Sequence, residues 1–180
     1  MKAIVSPHIR IRHPEHFEIG EDSIVDDFSY FSTRVRIGRC SHVASCCTVG
    51  GGAGFLFQVG DYSSVSAGVR IWCTSDDFTN DLVTILPEGV GPLKTHLITG
   101  DVVLGDYTAI GSNTVVMPDN RIPAGTVIGA LSYVPPAFKF EAWSVYVGAP
   151  VRYIRPRNKD NVMSQADRLN AFMSGRVARE

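Results

Sequence analysis

The sequence predicts a mainly β fold: short parallel strands wound into a three-sided coil of six-residue units, with one long loop and a short C-terminal α-helix. Three observations predict it. Ile19, Val25, Phe31, Ile37, Val43, Val49 and Phe55 recur every six residues, and the phase resumes at Val59, Val65 and Ile71, then from Ile98 through Leu104, Ile110, Val116, Ile122, Ile128 and Val134. A glycine follows many of them (Gly20, Gly38, Gly50, Gly60, Gly105, Gly111, Gly129). A small residue usually stands two places before, as at Ser23, Ser29, Ser41, Cys47, Ser63, Thr108, Thr114, Thr126 and Ser132.

A helix of period 3.6 cannot hold a six-residue register on one face, and a plain strand alternates every two residues. The pattern asks for a short strand, a corner and another short strand. The aliphatic residue fills the corner from inside, the small residue fits where the interior narrows, and the glycine is expected to tolerate the turn. Three units close one coil of 18 residues. Coils stack at about 4.8 Å, so about five coils make a prism roughly 25 Å tall, with one continuous core that no single repeat can bury.

Two places break the period. "GGGAGFLFQ", residues 50–58, puts four residues where six belong, and its glycines predict a bulge. Residues 77–97, "DFTNDLVTILPEGVGPLKTHL", carry no repeat, and a segment of that length is more often functional than an idle connection. The expected organisation is a β-helix domain over 1–157, with 77–97 extruded as an arm, and a helical segment over 158–180. In that segment Val162, Ala166, Leu169, Phe172 and Met173 fall at helical spacing. The helix is expected on the prism's end or on a neighbour. His8, His13 and His16 precede the first full coil and read as exposed.

Composition narrows the class. The chain of 180 residues is 44% hydrophobic and 19% charged, which fits one folded domain rather than a disordered chain. A net charge of −1 gives no basic field for nucleic acid or an anionic membrane. The opening "MKAIVSPHIRIRHPEHF" does not read as a signal peptide, and no apolar run approaches the roughly 20 residues of a membrane helix. The expected protein is soluble and cytoplasmic. Cys40, Cys46, Cys47 and Cys73 lack metal-knuckle or redox-motif spacing, so free thiols and no metal are expected.

"LGDYTAIGSNTVVMPDNRIPAGTVIGALSYV", from Leu104 to Val134, closely resembles the hexapeptide acyltransferases, and the resemblance extends over about residues 19–157. It implies a left-handed parallel β-helix, against the usual right-handed crossover rule, and a homotrimer with active sites between subunits. It also implies acetyl-CoA as cosubstrate. Ser112 and Ala130 stand one coil apart at equivalent positions, with Gly111 and Gly129 beside them. In the family this edge holds the pantetheine arm. The segment "GAPVRYI" then sets Arg152 and Arg155 near the nucleotide phosphates, which guanidinium groups suit. The chain departs from sugar acetyltransferases at Val134-Pro135, where they often have Thr-Lys. One phosphate contact is therefore absent or supplied by Arg157.

Acyl transfer from a thioester needs a nucleophile and a group to take its proton. In related maltose and galactoside enzymes a histidine opens the long loop. The corresponding position here is Asp76, in "IWCTSDDFTND". An ordinary aspartate, with a reference pKa of about 3.9, is a weak base for an alcohol, but it can orient an amine and stabilise the ammonium formed on attack. Asp76 therefore favours N-acylation. The alternative is that Asp76 and Asp77 only cap a turn. His42 is the second catalytic candidate, expected to meet Asp76 across a subunit interface. Asp77, Trp72, Glu88, Lys94 and His96 are candidate substrate contacts, and His96 a third candidate base.

"HVASCCTVGGG", "VGDYSSVSAGVRIWCTSDDF" and "WSVYVGAPVRYI" look more like the acyltransferases that act on nucleotide-linked 4-amino-4,6-dideoxy sugars. That resemblance implies acetyl transfer to an amino sugar carried on dTDP, UDP or GDP, for O-antigen or capsule assembly. Two alternatives stand beside it: a sugar O-acetyltransferase using His42 or His96, and a non-catalytic β-helix scaffold. A γ-class carbonic anhydrase shares the coil but needs three converging histidines, and only His42 and His96 lie within the body.

Overall fold

The computed structural model describes residues 2–90 and 93–177, so Gly91, Pro92 and residues 178–180, which the predicted loop and helix include, lie outside the description. The apolar corner residues form the core. Val25, Ile37, Val43, Val59, Val65, Ile71, Leu104, Ile110, Val116, Ile122, Ile128 and Val134 are at most 2% exposed. Burying each contributes about 1.5–3 kcal/mol. The small residues two places earlier do more than fit. Ser23, Ser41 and Ser63 form a ladder in which each hydroxyl accepts from the backbone N–H one coil on, from Ser41 at 2.9 Å and from Ser63 and Thr108 at 3.0 Å. Buried polar groups are thereby satisfied inside an apolar prism.

The first face carries seven parallel rungs: Ile4–Val5, Ile24–Val25, His42–Val43, Ser64–Val65, Ala109–Ile110, Val127–Ile128 and Ser144–Val147. Arg152–Pro156 then pairs antiparallel with the last. The second face runs from Arg10–Ile11 through Arg70–Trp72 and Val115–Val116 to Tyr133–Val134. The third runs from Phe17–Ile19 through Val102–Leu104 to Asn120–Ile122. Two long strands, Tyr30–Ile37 and Thr48–Val59, turn the second corner and belong to both faces. Seven rungs stand about 29 Å tall at the usual spacing, more than the five coils expected. One coil begins at Ile4, ahead of the predicted phase: Val5 and Ile11 stand six residues apart but two out of step with Ile19, so counting back from Ile19 reaches His13 and Pro7 instead.

Coils close after 18 residues where nothing is inserted, as between Ser23 and Ser41. The bulged coil takes 22, as between Arg39 and Asp61, and the coil bearing the arm takes 45, as between Asp61 and Asp106. Both insertions fall at the second corner. In the bulge the partner of Thr33 is Gly52 and that of Arg34 is Leu56. Phe57 rather than Phe55 therefore fills the core, and Phe55 is half-buried. Ile98 also lies off the predicted phase. It pairs antiparallel with Ser75 at the neck of the arm, and the coil resumes at Val102.

The glycines differ from expectation in their cause. Gly38 and Gly60 do not hold the left-handed backbone position. That falls two residues later, at Cys40 (φ 52°) and Tyr62 (φ 54°). A Cβ on Gly60 would lie 2.5 Å from the Gly105 carbonyl carbon, and one on Gly38 would lie 2.7 Å from that of Gly60. The glycines permit coil-to-coil approach, not the turn.

The helix Lys159–Val177 lies along the third corner instead of on the prism's end. Asn170 accepts from Tyr62 Oη and from Arg39 Nη1, Cys40 Sγ meets Met173 Sδ at 3.8 Å, and Lys159 sits over the Trp143 ring. A helix of 19 residues spans about 28 Å, which matches the prism's height.

Candidate functional site

The first corner, between the first and second faces, stays open. Its turns stack Asp26-Asp27, Ala44-Ser45, Ser66-Ala67, Gly111-Ser112 and Gly129-Ala130, coil upon coil. The backbone bonds Ala44 N–H to Val65 O, Ser66 N–H to Ile110 O and Leu131 N–H to Ser112 O hold that register at 2.8–2.9 Å. Ser112 and Ala130 therefore stand on one edge. Added Cβ atoms on Gly111 and Gly129 would strike Ala130 N and Val147 Cγ1, so these glycines serve stacking within the prism. Arg152 and Arg155 are exposed on the antiparallel strand, opposite Val147 and Val145 at the top of this corner. Arg157 is directed elsewhere. Its Nη1 donates to Gly125 O at 3.1 Å and to Tyr107 O on the third corner, and burial pushes its pKa down.

His42 faces outward from the first face, half-exposed. Its Nε2 meets Asp26 Oδ2 at 2.8 Å, so it has a carboxylate partner within its own chain. A groove of about 450 Å³ opens beside Asp26, lined by Ile4, Ser6, Pro7, Val25, Asp26, Asp27 and Ser45.

Asp76 leaves the second corner, across the second face from Ser112. The neck is the short hairpin Thr74–Ser75 with Ile98–Thr99. Lys94 Nζ donates to Asp76 Oδ1 at 2.7 Å, with 13% and 28% of the two side chains exposed. Lys94, expected at substrate, thus holds Asp76 in place. Asp77 caps the turn after it, accepting from Thr79 N–H at 2.8 Å and from Asn80, and the Asn80 amide, more than the backbone N–H groups, holds its pKa below the usual value. Asp81, only 4% exposed, accepts from the His96 and Thr95 N–H groups at 2.8 and 3.3 Å and meets the His96 ring at 3.1 Å. The His96 N–H is the largest cause of its lowered pKa. These contacts clasp the arm's two ends together. Glu88 is exposed farther out. Trp72 packs on Gly50, where a Cβ would lie 2.7 Å from its ring.

Burial raises the Cys47 thiol and pushes Cys73 up to about 12, which makes both poor nucleophiles. Among the described residues no group of three or more His, Cys, Asp or Glu gathers to hold a metal, and no helix is long and apolar enough to cross a membrane.

No family model matches the chain. It is 28% identical over 150 residues to dTDP-4-amino-4,6-dideoxy-D-glucose acyltransferase of Escherichia coli, covering 81% of this chain and 74% of that protein. It is 28% identical over 150 residues to a chloramphenicol acetyltransferase of Agrobacterium fabrum, covering 76% and 68%. Among solved structures it resembles AntD, an N-acyltransferase from Bacillus cereus in complex with dTDP and 3-hydroxybutyryl-CoA. That match has a TM-score of 0.82 and 28% identity over 94% of this chain and 88% of that one. AntD has also been solved with substitutions at one serine, including in complex with dTDP-4-amino-4,6-dideoxyglucose and coenzyme A, and at one aspartate. The shared fold is the left-handed parallel β-helix.

Proposed function

We propose that this hexapeptide-repeat acyltransferase moves the acyl group of acetyl-CoA or a close homologue onto the amino group of a nucleotide-linked amino-dideoxy sugar. The observation that carries the reading is the match to AntD along 94% of the chain. The first corner supports it. Ser112 and Ala130 offer an open edge for the pantetheine arm, and exposed Arg152 and Arg155 stand at its top for phosphate. Asp76 takes the amine. Its Oδ1 holds Lys94, while Oδ2 has no protein partner among the described residues.

Ser66 joins the site on this reading. The serine and aspartate replaced in AntD have the sequence separation of Ser66 and Asp76, and no other serine precedes an aspartate by that interval in this chain. The sequence alone does not single out Ser66, because its hydroxyl stands where each repeat tolerates any small residue.

Ser66 and Asp76 leave opposite edges of the second face, so one prism does not unite them. A homotrimer with sites between subunits does. Uncovered apolar side chains on the arm support it, with Phe78 79%, Leu82 70%, Ile85 91% and Leu93 60% exposed. Surface-polysaccharide assembly in the cytoplasm is the setting this chemistry fits. The test is release of the coenzyme A thiol with nucleotide-linked amino sugars and with their hydroxyl analogues. Turnover with amines is expected. Turnover confined to hydroxyls would assign the O-acetyltransferase alternative, and no binding of coenzyme A would assign the scaffold.

A further inference from the structure

We infer that Asp26 and His42 form an intrachain proton-accepting pair, and that the groove beside Asp26 seats the sugar whose amine is acylated. The inference rests on the acyl-transfer reading above. A carboxylate only accepts hydrogen bonds, so the 2.8 Å contact puts the ring proton on Nε2. Nδ1 of the neutral ring then keeps its lone pair, and no protein group among the described residues bonds to it. This is a base oriented by a carboxylate. Both side chains are 44% exposed, within a ligand's reach.

Position supports the role. Asp26 lies on the same open corner as Ser66 and Ser112, in the coil below Ala44, and His42 pairs in register with Ser64. Three coil spacings separate the Asp26 turn from the Ser112 turn, about 14 Å. A cosubstrate arm descending past Ala130 and Ser112 would bring its thioester to the level between Ser112 and the groove. The roughly 450 Å³ groove takes a pyranose-sized group. Of the two carboxylates on its wall, Asp27 already accepts from the Ser6 hydroxyl, and Asp26 holds the ring. In the step, the amine nitrogen, oriented by Asp76 across the subunit interface on the reading above, bonds to the thioester carbonyl carbon. The nitrogen's proton passes to Nδ1, and Asp26 stabilises the imidazolium. The C–S bond breaks, and the leaving thiolate takes the proton.

Steady-state kinetics of the full chain with acetyl-CoA and its best acceptor test the pair. Asp26→Asn is expected to lower kcat about tenfold to a hundredfold and leave the KM for acetyl-CoA unchanged. Asp26→Glu should recover most of the loss. The double variant with His42→Asn should be no slower than His42→Asn alone, since the two act as a unit. Wild-type kcat in Asp26→Asn, or losses that multiply in the double variant, would overturn the proposal. If Asp26→Asn melts early, Asp26→Glu, which keeps the carboxylate, decides by its kcat. If only hydroxyl acceptors react, the amine reading fails, while the same variants still test the pair on those acceptors.

Discussion

The first and third corners are built from one repeat, yet the chain treats them oppositely. The third is filled. Gly20, Gly38, Gly60 and Gly105 bring its coils close, Tyr62 and Tyr107 stack at 5.3 Å, and the helix lies over them. The first stands open, and its turns carry Asp26, Ser45, Ser66 and Ser112. The repeat makes equivalent grooves at every vertex. The corner that the chain leaves uncovered, with polar groups on its turns, is the one with room for a ligand.

The contrast can be broken by substitution. Gly60→Val at the filled corner forces a side chain onto the Gly105 backbone, so a loss of about 3 kcal/mol or more is expected, as for severe overpacking. Chemical denaturation would measure it, and an unchanged midpoint would refute the close-approach account. Asp76→Asn should leave that midpoint in place and lower kcat about a hundredfold. Arg152→Ala should act by binding alone, raising the KM for acetyl-CoA about tenfold if one charge-assisted contact is lost. Asn170→Ala removes the acceptor for Tyr62 and Arg39 and should cost about 1 kcal/mol of stability with turnover unchanged.

The smallest effect concerns the arm and acid. Asp81 has a lowered pKa in the fold. Its stabilising contribution is therefore present above the unfolded value, about 3.9, and is lost as pH falls through the lower folded value. Cleavage of residues 77–97 by an acid-active protease should accelerate across that window, and Asp81→Asn should reduce the pH dependence, leaving the part that belongs to Asp77.

Much of this architecture is legible in the sequence because the coil repeats itself. Val25 to Val134 announce their corners, since only a residue that returns to the same interior position must stay apolar. The repeat says less about causes. It marks the glycines, but only the stacked fold shows that Gly60 answers to the coil above it rather than to its own turn. Partners outside the period are not legible at all. Lys94 finds Asp76, and Asp81 finds His96, through an arm with no register. His42 finds Asp26 because adjacent coils bring together residues 16 apart, an interval that carries no signal in one dimension.

The clasp at Asp81 has a consequence for protein engineering. Because the hairpin neck and the Asp81 contacts close the arm near its root, the stretch between Asp81 and Lys94 is a cassette. Its length and composition should be exchangeable with those of related arms while the prism beneath keeps its register.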